Sequence, residues 1–157
     1  MSTNFIGLDT AKTRQLADAL NELLSNYQVF YMNVRGYHWN IKGENFFELH
    51  DKFEELYNDL LLKIDEIAER VLTLGHRPAH AYSSYIDASD IPERKDVSEG
   101  RTAVENITDS FAKLIGKQRA LLTLAGDAND EGTVALMSEY ISQQEKTVWM
   151  YRSFLGQ

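Results

Sequence analysis

Two prolines in 157 residues, Pro78 and Pro92, most constrain this chain, because both fall in one stretch near its middle. Inside a helix, proline removes a hydrogen bond and clashes with the preceding turn, so the segments on either side are free to form long helices. Apolar periodicity uses that freedom. Asp9 or Thr10 can cap a first helix, in which Leu16, Leu20, Leu23, Tyr27, Phe30 and Val34 recur at three- and four-residue intervals as far as Gly36. A second helix is predicted from near Asn45 through Leu49, Phe53, Leu56, Leu60, Ile64, Ile67, Val71 and Leu74, with Gly75 as its stop.

Residues 75–98 hold both prolines and break the period, although "AYSSYIDAS" suits a short helix of its own. A third long helix runs from about Glu99 to Ala125 through Val104, Ile107, Phe111, Leu114, Leu121 and Leu124. The turn "GDANDEG" separates it from a last helix carrying Val134, Met137, Tyr140, Ile141, Val148 and Tyr151. Two short loops and one long crossover between the second and third helices imply an all-α, ferritin-like four-helix bundle with a short extra helix in the crossover. A hydrophobic content of 43% supplies the core of one domain spanning residues 1–157.

The net charge is -8, so the body has no electrostatic footprint for nucleic acid and favours cations as partners. There is no cysteine, which excludes thiolate zinc sites and thiol catalysis and leaves imidazole and carboxylate to hold any metal. There is also no basic-then-apolar leader and no apolar run of about 18 residues, so the expectation is a soluble cytoplasmic protein that does not enter membranes.

Two of the four histidines lie in "HWNIKGENFFELHDKFEEL", residues 38–56. With His50 as zero on a helical wheel, Glu54 falls near 40°, Asp65 near 60° and Glu69 near 100°, while the apolar seam of the same helix centres near roughly -80°. The four potential ligands thus face away from the chain's own core. At 1.5 Å per residue, Glu54 and Asp65 stand roughly 16 Å apart along the axis, too far to share one metal. A two-fold axis near residues 59 and 60 resolves this by laying the helix antiparallel to its copy, so that His50 and Glu54 meet Asp65 and Glu69 of a second subunit. Leu61 and Leu62 would supply apolar contact around the axis, and His38, just beyond the first helix, a second imidazole. Two imidazoles and three carboxylates suit Fe(II), with manganese or zinc as competitors. The alternative is a packing histidine and a solvated acidic flank.

"HWNIKGENFFELHDKFEELY", followed by "IDEIAERVLTLG", resembles the ferroxidase signature of the Dps proteins (DNA-binding proteins from starved cells), and length, helix order and crossover match across nearly the whole chain. The resemblance implies a di-iron site between subunits, with His38, His50 and Glu54 from one chain and Asp65 and Glu69 from its two-fold mate. Many members have Asp where Glu54 stands; the longer side chain should still ligate, with altered metal spacing. It further implies a hollow homo-dodecamer built from two-fold dimers. Such a shell oxidises Fe(II) preferentially with hydrogen peroxide, stores Fe(III) mineral and uses no organic cofactor, which protects the cell from oxidative damage. Trp39 matches a tryptophan that absorbs stray oxidising equivalents, and Asp51 and Glu55 match positions where mineral nucleates. Asp127, Asp130 and Glu131, in the turn that corresponds to a three-fold pore, would draw cations inward, or else cap the last helix.

DNA binding is the weakest implication. Members that condense DNA commonly use a mobile lysine-rich terminus, whereas "MSTNFIGLDTAKTRQ" has only Lys12 and Arg14. An acidic shell without such an arm repels phosphate, which counts against a nucleoid-associated, non-enzymatic DNA-protecting protein. A ferritin with its di-iron site inside each bundle needs Glu-x-x-His on a helix, and none occurs. His76 and His80 are a second i, i+4 pair, but Pro78 between them makes them loop residues.

Overall fold

The computed structural model describes residues 2–157. Five helices follow one another: α1 (Thr10–Asn40), α2 (Phe46–Thr73), α3 (Tyr82–Ala88), α4 (Gly100–Asp127) and α5 (Glu131–Phe154). The four long ones form the bundle, with α1 packed on α2 and α4, α4 on α5, and the short α3 on α1. Leu16, Leu20, Leu23, Tyr27, Phe30 and Val34 of α1 are buried against Phe53, Leu60, Ile67 and Val71 of α2 and the matching faces of α4 and α5. The architecture expected from the proline distribution is the one found. No helix among the described residues is long and apolar enough to cross a membrane.

Helix ends follow local chemistry. The Asp9 carboxylate accepts the Lys12 amide at 2.9 Å and caps α1. Gly75, at φ 92°, ends α2 in the left-handed region; its N–H bonds Leu72 and the His76 N–H bonds Val71, which satisfies carbonyls the helix would otherwise leave free.

One boundary departs from expectation: α1 does not stop at Gly36 but continues one turn to Asn40, so His38 is part of the helix and not beyond it. Glycine inside a helix costs about 1 kcal/mol. Burial of Tyr37 and His38 against α2 offsets that, because a buried large side chain contributes roughly 1.5–3 kcal/mol. The α4–α5 connection is likewise shorter than "GDANDEG" suggests, since α4 runs to Asp127 and leaves only residues 128–130 between the helices.

The crossover is held by three side-chain amides of α1. Asn21 accepts from the Ala79 N–H at 2.8 Å, Asn26 from the Asp90 and Ile91 N–H groups at 2.9 and 3.1 Å, and Asn33 from the Arg94 N–H at 2.9 Å. Asn26 and Asn33 are buried, so these bonds satisfy groups that would otherwise be costly to desolvate. At the centre of the bundle Tyr27, Gln118 and Gln144 close a buried ring: Tyr27 donates to Gln118, Gln118 donates to Gln144 at 2.8 Å, and Gln144 donates back to Tyr27 at 2.6 Å. Burial drives the Tyr27 phenol well above its usual pKa, so its proton stays in the ring of bonds.

Candidate metal half-site

The end of α1 and the start of α2 meet at two histidines, because a hairpin of residues 41–45 folds one helix back on the other. Their rings stack at 3.8 Å between centroids, 14° from parallel. Each is fixed by the other's backbone: His38 Nδ1 lies 2.7 Å from the His50 carbonyl, and His50 Nδ1 lies 2.8 Å from the His38 carbonyl. The His38 carbonyl is among the last four of α1, which have no partner inside the helix. Lys42, four residues on, gives its N–H to Ser98 instead, so His50 satisfies an acceptor the helix leaves open.

This reciprocal lock determines the chemistry. A carbonyl can only accept, so both Nδ1 atoms carry protons, and in the neutral form of either ring the lone pair is on Nε2. Metal-binding histidines are commonly oriented in this way, with one nitrogen tied to a backbone carbonyl and the other presented. Glu54, exposed on the next turn of α2, brings a carboxylate oxygen to 3.7 Å from His38 Nε2. Two acceptors facing each other at that distance call for a cation, proton or metal, between them.

Aromatic rings wall the pair in. Phe46 stacks on His50 at 5.0 Å, and Tyr57 meets His38 edge-on at 5.3 Å. Behind Tyr57, the Arg35 guanidinium sits over three rings, 5.0 Å from Tyr57, 5.6 Å from Tyr31 and 4.9 Å from the half-exposed Trp39, and donates to the Tyr31 hydroxyl at 2.9 Å. Tyr31, Arg35 and Trp39 are spaced by four on α1, a stripe legible in the sequence. That Tyr57 joins it from α2 was not legible.

Of the eleven residues singled out from the sequence, the chain brings together His38, His50 and Glu54, with Trp39 beside them. Asp65 and Glu69 lie further along α2, exposed and facing away from this chain's core. No group of three or more His, Asp or Glu side chains able to hold a metal occurs among the described residues. Asp65 and Glu69 thus stand apart from His50 and Glu54 on the exposed face of α2. Asp51 and Glu55 are exposed on α2, and Lys52 lies 3.4 Å from Glu55.

Asp127 and Glu131 are exposed, but Asp130 is not a solvent-facing acid. Its carboxylate is 1% exposed, accepts the Thr133 N–H at 3.1 Å as the cap of α5, and pairs with Arg70 at 2.5 Å. Of the two roles weighed for that turn, capping is the one Asp130 plays, and it leaves the pore set for that reason. Lys63 is buried as well, with its ammonium on Asp59 at 2.8 and 2.9 Å and on Gln143 at 3.0 Å.

Residues 17–157 match the family described as Ferritin-like domain. The crystal structure of the DPS protein from Vibrio cholerae O1, described as a member of a broad superfamily of ferritin-like diiron-carboxylate proteins, superposes with a TM-score of 0.97 and 59% identity, covering 99% of this chain and 98% of that one. This chain belongs to the Dps family. A second Dps structure, from Bacillus brevis, superposes with a TM-score of 0.90 at 33% identity over 94% of this chain and 99% of that one. The DNA protection during starvation protein of Porphyromonas gingivalis is 40% identical over 148 residues, which cover 94% of this chain and 93% of that Dps relative.

Proposed function

We propose that this Dps-family chain is a miniferritin ferroxidase whose iron site is completed by a second subunit. The observation that carries the reading is the reciprocal histidine lock, which leaves both Nε2 atoms free of the backbone and sets His38 Nε2 beside the exposed Glu54. Asp65 and Glu69 of an antiparallel partner supply the remaining carboxylates, and the exposed Leu61 and Leu62 pack about the two-fold axis. Iron is the substrate. Paired Fe(II) ions each give one electron to a peroxide, whose O–O bond breaks to water as protons are taken up, and carboxylates stabilise the Fe(III) product.

Pairing matters because a single one-electron step would release a hydroxyl radical. Trp39, under the Arg35 guanidinium that also covers Tyr57 beside His38, is placed to surrender an electron to any radical that escapes. Dimers assemble into a hollow dodecamer that stores the mineral, with Asp51 and Glu55 as nucleating acids and Asp127 and Glu131 near the cation entry.

The second reading, a non-enzymatic DNA-protecting protein, is favoured by the name of the Porphyromonas gingivalis relative. Against it stand the net charge of -8 and the fate of Lys12, whose ammonium is tied to the Asp127 carbonyl at 3.0 Å.

The assembled protein, loaded anaerobically with Fe(II) and then given peroxide, is expected to oxidise iron in a fixed ratio per subunit, read by absorbance. His50→Ala and Asp65→Ala should each slow this on the order of 10–100-fold, the scale seen when the surroundings of a metal ligand are lost. Variants as fast as the parent would refute the site. A parent that oxidises no iron would leave the DNA-protecting reading standing.

A further inference from the structure

We propose that Arg35 is a positioning residue that sets the threshold at which the aromatic side chains beside the histidine pair lose an electron, so that Trp39 yields one to an oxidant as strong as a hydroxyl radical and not to weaker ones. Arg35 is half-buried on α1, with its guanidinium carbon 4.9 Å from the centre of the Trp39 ring, 5.0 Å from Tyr57 and 5.6 Å from Tyr31. Tyr57 in turn meets Tyr31 edge-on at 6.1 Å and His38 at 5.3 Å. The four side chains thus form one cluster that reaches the histidine pair.

The cation at its centre has no counterion. No ion pair among the described residues includes Arg35, and its Nε is buried without a hydrogen-bond partner. A terminal nitrogen donates to the Tyr31 hydroxyl at 2.9 Å. Desolvating an unpaired charge is costly, and here the electron-rich ring faces offset the cost. That attraction depends on the rings keeping their electrons.

A ring that has lost an electron carries positive charge of its own, which turns its attraction to the guanidinium into repulsion. Each of the three rings is therefore harder to oxidise with Arg35 in place than without it, and Tyr31 more so because the bond it accepts draws density from its oxygen. Trp39 has a way past the barrier: it is 57% exposed, so its indole proton can leave to water. A hydroxyl radical that takes one electron from the indole becomes hydroxide, the N–H bond breaks, and the proton joins that hydroxide as water. The neutral radical left on Trp39 no longer repels the guanidinium. A weaker oxidant cannot drive electron loss against the charge, so the rings beside His38 are spared during productive turnover. The inference rests on the ferroxidase reading only for the source of the oxidant, a radical escaping the reduction of peroxide.

Pulse radiolysis of the assembled, metal-free protein tests this with two neutral one-electron oxidants, the weak nitrogen dioxide radical and the stronger azidyl radical. A Trp149→Phe background leaves Trp39 as the sole tryptophan, and neutral probes are not steered by the charge the variants remove. Arg35→Gln, with Arg35→Leu as a second uncharged variant, should form the tryptophan radical several-fold faster than the parent with nitrogen dioxide and at an unchanged rate with azidyl. Arg35→Lys, which keeps a cation, should stay near the parent with both. Acrylamide quenching of Trp39 fluorescence, which reads access to the ring, should not rise in step. An unchanged nitrogen dioxide rate in the uncharged variants, or an Arg35→Lys rate equal to theirs, overturns the proposal. So does equal acceleration with both radicals, or quenching that rises as much as the rate, since a loosened ring then explains the result. Fe(II) oxidation by the parent is measured alongside. A protein that oxidises iron yet shows no Arg35 effect loses only this role, whereas one that oxidises none loses the ferroxidase reading whatever the radiolysis shows.

Discussion

Gly132 opens α5 beside Arg70, and a Cβ built there would lie 2.6–2.7 Å from the guanidinium atoms. A flexible arginine could normally swing aside. Here it is held by Asp130 at 2.5 Å and Thr133 at 2.9 Å, and its departure would strand a carboxylate that is 1% exposed. Gly132→Ala is therefore expected to destabilise the fold by about 1–3 kcal/mol, the range for overpacking a close contact. That corresponds to a fall in Tm of roughly 2–4 °C per kcal/mol, measured by calorimetry on the assembled protein. An unchanged Tm would mean that Arg70 relocates without cost. Asp130 illustrates what a sequence hides at this scale. As one acid in "GDANDEG" it reads as either a pore lining or a helix cap, and it is Arg70, sixty residues away, that accompanies its burial as a cap. The relative placement of the candidate ligands on α2 was legible for the opposite reason: residues on one helix have their positions set by 3.6 residues per turn, whatever surrounds them.

Among the elements, the crossover carries most of what periodicity could not reveal. Its course is set by Asn21, Asn26 and Asn33 on α1, whose amides replace a partner strand or helix for the loop backbone. Asparagine on a predicted helix reads as exposed, so their burial was not foreseeable from local pattern. Gly36 misled in a related way, since the burial that carries α1 through it comes from α2. A charged tether reinforces the crossover: Lys117 of α4 bridges Asp90, before Pro92, and Glu22 of α1 at 2.7 Å. The hydrogen bond from Lys117 and its charge hold the Asp90 carboxyl below its usual value. The tether is thus complete above the unfolded aspartate pKa of about 3.9 and is lost as pH falls through the lower folded value. Amide exchange at residues 89–91, corrected for intrinsic rates, should accelerate over that acid range in the parent. Asp90→Asn should show no such step and should already be faster at neutral pH. Crossover protection that stays flat through the acid range in the parent would rule the tether out.

For the whole molecule the decisive property is that the proposed site is divided between two copies of one helix, and this can be tested without a structure of the assembly. In the proposed arrangement each two-fold dimer would have two equivalent sites, each taking His50 from one chain and Asp65 from the other. When His50→Ala and Asp65→Ala chains are co-expressed, a mixed dimer has one site missing both residues and one site with both intact. Random pairing makes about half of all dimers mixed, so about a quarter of the sites, and about a quarter of the parent's Fe(II) oxidation, should return. Neither variant alone should show this recovery. If all ligands came from one chain, every site in the mixture would be defective and mixing would restore nothing. The distance argument makes that second outcome difficult to reach. Glu54 and Asp65 are separated by roughly 16 Å along an unbroken helix, and no motion that leaves α2 intact could bring them to one ion. Recovery near a quarter would establish the antiparallel arrangement; no recovery, with each variant inactive by itself, would place the site within a single chain.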